Sequence, residues 1–270
     1  MQDDYEQQGR DSGADGEALA TDFPQQAALP KETADNALPP DEYPFWGWLD
    51  AALFAVVLVF SLVVTILMGT GVYAVGLVPM APALILAQGV GMGVALFMLS
   101  RLLRYRYGVG LREALQLKPP QRVLLYCGLG AGTAILVSVL GFVLRISELE
   151  NPMKDFIRTD LDLLVVAIGA TTFGPLFEEM IFRGFLQPLV GKLVGMAAGV
   201  MATALLFAVI HGPQYGWHWQ HLMVITTAGV VFGVIRWRTA STTAATLAHC
   251  TYNLFVVIGA FVQRSQEMGG

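Results

Sequence analysis

The chain has 270 residues, 55% of them hydrophobic and 14% charged, with a formal net charge of −5. Soluble globular domains carry about 25% charged residues, so the composition argues against a soluble enzyme. The charge is also uneven: residues 1–44 hold eleven acidic residues against Arg10 and Lys31, leaving the remainder net +4, with its Lys and Arg in short clusters rather than the continuous stripe a nucleic-acid partner requires.

Residues 1–44 are rich in Gln, Ala, Asp, Glu and Pro and poor in large apolar residues. Such a segment cannot bury enough surface to offset the entropy of ordering and reads as a disordered acidic tail. No basic stretch followed by an apolar run occurs in the first thirty residues, so no cleavable signal peptide is expected.

No Asp, Glu, Lys or Arg occurs in residues 51–100, 193–235 or 239–263. Runs of this length read as membrane spans, each needing about 20 apolar residues. The first is expected over Trp46–Met68, entered by Trp46 and Trp48 as interfacial aromatics, with a Gly-rich turn at Gly69–Gly76. The second covers Leu77–Ser100 and ends at a basic cluster of Arg101, Arg104, Arg106, Arg112, Lys118 and Arg122. A third follows at Val123–Leu144, then a mixed-charge loop (Arg145, Glu148, Glu150, Lys154, Asp155, Arg158, Asp160) and a fourth span from about Leu161. The fifth, sixth and seventh are expected at Leu193–His211, Trp219–Ile235 and Thr242–Val262.

The fold class is therefore an all-α polytopic membrane bundle of seven helices, or eight if Gly216–His221 hides another. With the N terminus in the cytoplasm, twelve of the sixteen Lys and Arg residues, Arg183 and Lys192 among them, lie on the inner side, as the positive-inside bias requires. The expected location is a bacterial plasma membrane. Cys127 and Cys250 lie in apolar runs and read as inert buried thiols. His218 and His221, among interfacial aromatics, read as solvated or interfacial rather than catalytic.

The fourth span carries adjacent carboxylates, Glu178 and Glu179, in an apolar context. Ionisable groups inside a membrane are costly and mark functional sites by default. Glu179 and Arg183 are four residues apart and fall on one helix face as an ion pair, while Glu178 points elsewhere. Gly174 and Pro175 just before them predict a local kink or widening. The fifth span ends Phe207-x-x-x-His211, and the seventh places His249 and Asn253 side by side at the same four-residue spacing. A lone apolar-helix His is more often a packing residue than a catalyst, but here three separate spans each contribute groups of catalytic type.

In this order, Glu178-Glu179-x-x-x-Arg183, Phe207-x-x-x-His211 and His249-x-x-x-Asn253 resemble the CPBP family, the CAAX-protease and bacteriocin-processing (Abi) intramembrane endopeptidases. The resemblance covers residues 160–262, with weaker support from Gly110–Leu115. It implies that Glu178 and His211 activate a water, that His249 and Asn253 donate to the oxyanion, and that Glu179, Arg183 and Phe207 support them. It also implies a membrane-embedded or lipidated peptide substrate, either a prenylated CAAX-like C terminus or a bacterial membrane peptide. The implied organisation is a tail at 1–44, helices of an N-terminal part at 45–159, a catalytic core at 160–262 and a short tail at 263–270.

The zinc H-E-x-x-H, serine G-x-S-x-G and aspartyl G-x-G-D signatures are missing from the sequence. No cofactor is favoured; the alternative is zinc held by Glu178, His211 and His249 with one position open. Two other readings compete with the endopeptidase. One is a non-catalytic peptide-binding or immunity scaffold, and the other is a proton-coupled transporter, which lacks the expected repeat.

Overall fold

The computed structural model describes residues 43–146, 157 and 159–269. The expected acidic tail thus lies outside the described residues except for Tyr43 and Pro44, as do Glu148, Glu150, Lys154, Asp155 and Arg158 of the mixed-charge loop. The described residues form one compact unit. They are mostly helical, with no strand among them: α1 (Trp48–Ala74), α2 (Met80–Tyr107), the single turn α3 (Leu111–Ala114), α4 (Val123–Val143), α5 (Asp160–Ile168), α6 (Gly174–Glu179), α7 (Gln187–Val194), α8 (Met196–His211), α9 (Trp219–Thr239) and α10 (Thr242–Gly269).

Seven helical stretches are long and apolar enough to cross a membrane, with α5, α6 and α7 joined into one 35-residue span, Asp160–Val194. At most 39% of any span's most apolar window is buried within the protein. Lipid must therefore cover side chains such as Phe60, Leu86, Phe142 and Ile258, all of which face outward. The chain is an all-α integral membrane protein.

The spans begin and end where backbone chemistry dictates. Thr159 caps α5 in a reciprocal box: its hydroxyl accepts from Asp162 N at 3.1 Å, and its own N–H donates to Asp162 Oδ2 at 2.8 Å. Gly108, in the left-handed region at φ 70°, closes α2 and returns its N–H to Arg104 O.

The expected turn at Gly69–Gly76 is instead the last part of α1, which runs to Ala74. Gly69 is a contact glycine: a Cβ there would lie 2.8 Å from Ala87 Cβ and 2.9 Å from Ala83 O, so α2 approaches at backbone distance. Small residues at helix crossings serve the same purpose in membranes generally. The basic cluster likewise does not wait for the loop, since Arg101, Arg104 and Arg106 still belong to α2.

Trp46 is not an interfacial anchor. It is 2% exposed, stacks on Phe185 at 5.3 Å and donates its indole N–H to Phe185 O at 3.2 Å. It belongs to a short arm fastened beneath the fourth span. Tyr43 OH donates to Ala114 O at 3.2 Å and accepts from Arg236 at 2.9 Å, while Lys192 donates to Pro44 O at 3.1 Å. Burial raises the pKa of the Tyr43 hydroxyl, and the Arg236 guanidinium opposes that rise. Just beyond the arm, Asp50 is buried and takes Arg106 at 2.5 Å, Tyr107 OH at 2.6 Å and Gly47 N–H at 2.9 Å, which ties the start of α1 to the end of α2.

The segment around α3 docks on the α9–α10 corner. Thr242 donates its hydroxyl to Leu115 O and its N–H to Gln116 O, and Ser241 and Thr243 both donate to Lys118 O. Gly110–Leu115 therefore packs against the fourth span, where Leu115 Cβ would be 3.1 Å from a Cβ at Gly184. Cys127 and Cys250 are free and half-buried rather than fully buried.

α4 and α10 also meet at glycine: a Cβ at Gly130 would fall on the backbone carbonyl of Ala248, whereas one at Gly132 meets nothing within 4 Å. Gly130→Val is expected to destabilise the protein by about 1–3 kcal/mol through forced separation of the helices. Gly132→Val is expected to leave the detergent melting temperature within a degree or so of wild type, and comparing the two melting curves checks the assignment.

Candidate active site

The fourth span is not a uniform α-helix. Two π-helical stretches interrupt it, Gly169–Phe173 and Met180–Leu186, and Glu178 and Glu179 close the short α6 between them. Each stretch ends just upstream of a proline, Pro175 or Pro188. A proline ring clashes with the carbonyl four residues back and offers no N–H. Widening the preceding turn relieves both problems, with Gly174 N–H reaching back to Gly169 O and Gln187 N–H to Phe182 O. The widening expected from Gly174-Pro175 is present, and a second one follows the carboxylates.

Gly174 has a further role. A Cβ there would stand 3.0 Å from Gly169 O and 4.0 Å from Glu178 Oε1, so its absence leaves room beside the carboxylate.

Glu179 and Arg183 are both 0% exposed and pair at 2.9 Å. Arg183 was expected among the inner-side cations; it is instead sealed in the protein because Glu179 neutralises it and apolar rings enclose it. Its second nitrogen donates to Gly229 O at 2.9 Å, and its guanidinium lies 4.7 Å from the Phe207 ring centre and 5.8 Å from that of Phe232. Four residues on, Gln187 donates to Gly233 O at 3.0 Å. Arg183 and Gln187 thus form a polar ladder against α9, while Glu179 links Arg183 to His249 of α10.

His249 is 3% exposed and its Nδ1–H donates to Glu179 Oε1 at 2.9 Å. This bond decides which ring nitrogen faces Glu179, leaving Nε2 3.8 Å from Glu178 Oε2. From the other side, His211 Nδ1 lies 2.7 Å from Phe207 O, a carbonyl that can only accept, so Nδ1 carries the proton and Nε2 faces Glu178 Oε1 at 3.8 Å. Phe207 also packs beside both imidazoles, with ring centres 4.4 Å from His211 and 5.9 Å from His249.

The two oxygens of Glu178 therefore each look at one imidazole nitrogen across a gap too long for a direct hydrogen bond and of the size a water bridges. The side chains of Glu178 and His211 are 17% and 18% exposed, so this is the accessible part of the cluster. Asn253 lies elsewhere on the same helix as His249: its side-chain N–H donates to Ala170 O, in the first π-helical stretch, at 2.6 Å. One of its two amide hydrogens is so used.

Zinc would find its ligand types in Glu178, His211 and His249, but among the described residues no three His, Cys, Asp or Glu side chains are grouped so as to hold a metal ion.

Several contributors escape a motif-based reading. Gly229, Phe232 and Gly233 belong to α9, which carries none of the three motifs, and the only signal for them is the Gly-x-x-x-Gly spacing. His221 is 6% exposed and stacks on Tyr215 at 4.9 Å rather than meeting solvent, because α9 starts at Trp219 and carries the ring inward. His218 remains half-exposed outside it.

Cutting the buried pair tests its role. Arg183→Met strands the Glu179 carboxylate and is expected to cost about 3–5 kcal/mol of stability. Glu179→Leu combined with Arg183→Met is expected to regain most of that, as read by thermal melting in detergent.

Residues 160–255 match the model of the family described as Rce1-like, type II CAAX prenyl endopeptidase Rce1-like, in agreement with the resemblance carried by the three motifs. No curated protein and no solved structure matches the chain.

Proposed function

We propose that this protein is an intramembrane endopeptidase that hydrolyses a peptide bond near a prenylated, CAAX-like C terminus with a water activated by Glu178 and His211. The observation that carries the reading is the pair of 3.8 Å gaps between the Glu178 oxygens and the Nε2 atoms of His211 and His249, inside a bundle of apolar spans. The likeness of residues 160–255 to a prenyl endopeptidase family supports the reaction class.

The chemistry follows from the groups in place. A water between Glu178 and His211 gives a proton to one of them as its oxygen attacks the scissile carbonyl carbon. The resulting tetrahedral oxyanion is stabilised by preorganised donors, each contributing about 100- to 1,000-fold in rate. Asn253 takes that part from its remaining amide hydrogen, and His249 takes it from Nε2 as the doubly protonated imidazolium, whose Nδ1–H stays on Glu179. The proton then passes to the leaving amine, which completes hydrolysis. Glu179, itself held by Arg183, keeps Nδ1 of His249 directed away from the reacting centre, and no step is routed through a metal. The N terminus is cytoplasmic on the distribution of Lys and Arg.

The test uses full-length protein in proteoliposomes with a farnesylated CAAX peptide. Glu178→Gln and His211→Asn are each expected to lower kcat by at least about 100-fold without moving the melting temperature. Wild-type turnover by Glu178→Gln overturns the proposal. Protein dialysed against a chelator is expected to keep its rate, and loss of activity restored by added zinc would replace the metal-free mechanism.

A further inference from the structure

α9 supplies no titratable group to the site, yet one of its faces is pressed against it. Gly229, Phe232, Gly233 and Arg236 are spaced i, i+3, i+4 and i+7, and all four are buried. Two of them act through backbone oxygens: Gly229 O holds Arg183 and Gly233 O holds Gln187. The close approach this needs is built from missing side chains, since a Cβ at Gly229 would lie 3.2 Å from both Arg183 Nη2 and Ala204 Cβ.

Phe232 stands between these carbonyls. It is 0% exposed, and its ring lies 4.5 Å from the His249 ring at an interplanar angle of 20°. Phe207 meets the same imidazole edge-on, at 81°, and Tyr252 stands farther off at 6.2 Å. Only Phe232 covers a face of the imidazole in near-parallel stacking among the described residues.

That contact constrains one degree of freedom that hydrogen bonds leave soft. The last torsion of a histidine side chain is broad, and turning the ring about it swings Nδ1 off Glu179 and Nε2 away from Glu178 together. A phenyl ring parallel to the imidazole blocks the rotation by steric overlap.

We propose that Phe232 is a positioning residue of the site, fixing the ring plane of His249 so that Nδ1 stays on Glu179 while Nε2 stays directed at the reacting centre beside Glu178. The catalytic consequence rests on the endopeptidase reading; the control of the His249 ring does not. Phe232 touches no reacting atom; its ring also lies 5.8 Å from the Arg183 guanidinium, and the effect on His249 is what the experiment isolates.

The experiment uses Phe232→Leu, which keeps an apolar side chain but removes the flat face, in the full-length protein. Misplacement of a reacting group by about 1 Å can cost on the order of 100-fold, so kcat is expected to fall roughly 10- to 100-fold with KM unchanged. The same substitution made in His249→Ala is expected to cost nothing further, the non-additivity that marks two residues acting as a unit. An equal loss in both backgrounds makes Phe232 a general packing residue and overturns the proposal.

A second measurement needs no turnover. In protein labelled with 15N-histidine, the His249 ring signals, assigned by their loss in His249→Gln, are expected to be single and sharp in wild type and broadened or doubled in Phe232→Leu, with those of His211 unchanged. Sharp, single His249 signals in Phe232→Leu overturn the proposal. If the wild type cleaves no peptide but the ring signals respond as expected, the endopeptidase reading fails and the positioning role stands.

Discussion

A carboxylate sealed from solvent within a lipid-surrounded bundle must be neutralised where it sits, and Glu179 imposes that condition on everything near it. Taking a charge out of water costs several kcal/mol even after relaxation. Glu179 meets the requirement through Arg183 one turn later and through the Nδ1–H of His249. Arg183 then needs its own partners, which come from the carbonyl of Gly229 and the faces of Phe207 and Phe232. The carboxylate thereby recruits the fourth, fifth, sixth and seventh spans into one arrangement, leaving Glu178 as the acid with access to the outside.

The division of labour between two adjacent residues comes from helical rotation. Neighbours on an α-helix point about 100° apart. Glu179 is turned into the bundle and consumed by structure, while Glu178 faces the gap between two imidazoles. Two identical side chains thus have different chemistry because one lacks, and the other has, a permanent donor.

The sequence made the spans and the motif residues legible for separate reasons. Uncharged runs reveal membrane helices because the bilayer tolerates few charges, and the expected spans agree with the observed helices to within a few residues at most ends. The four-residue spacings of Glu179 with Arg183 and of Phe207 with His211 correspond to actual contacts, since helical geometry is local. What stayed hidden depends on facing. A tryptophan before an apolar run suits either an interface or a core, and only the stacking of Trp46 on Phe185 decides it. Gly69 looks like a turn until the close approach of α2 explains the missing side chain. Asp50 at the edge of an uncharged run gave no sign of Arg106 and Tyr107, its partners from the far end of another helix. Phe232 is one apolar residue among many in α9, and nothing in composition marks it as the one beneath an imidazole.

The two π-helical stretches have a bearing on how the fourth span could change over time. Side chains four residues apart drift by about 40° on a regular α-helix, yet Arg183 and Gln187 both turn toward α9 because the wide turn at Met180–Leu186 takes up part of the drift. The span is in effect a rod with two phase adjusters. A one-residue deletion within either stretch would return ordinary helical pitch and withdraw that adjustment, so substitutions are far easier to accommodate there than changes in length. The spacing between the glutamate pair and the two prolines should therefore be held more rigidly than the identity of the residues between them.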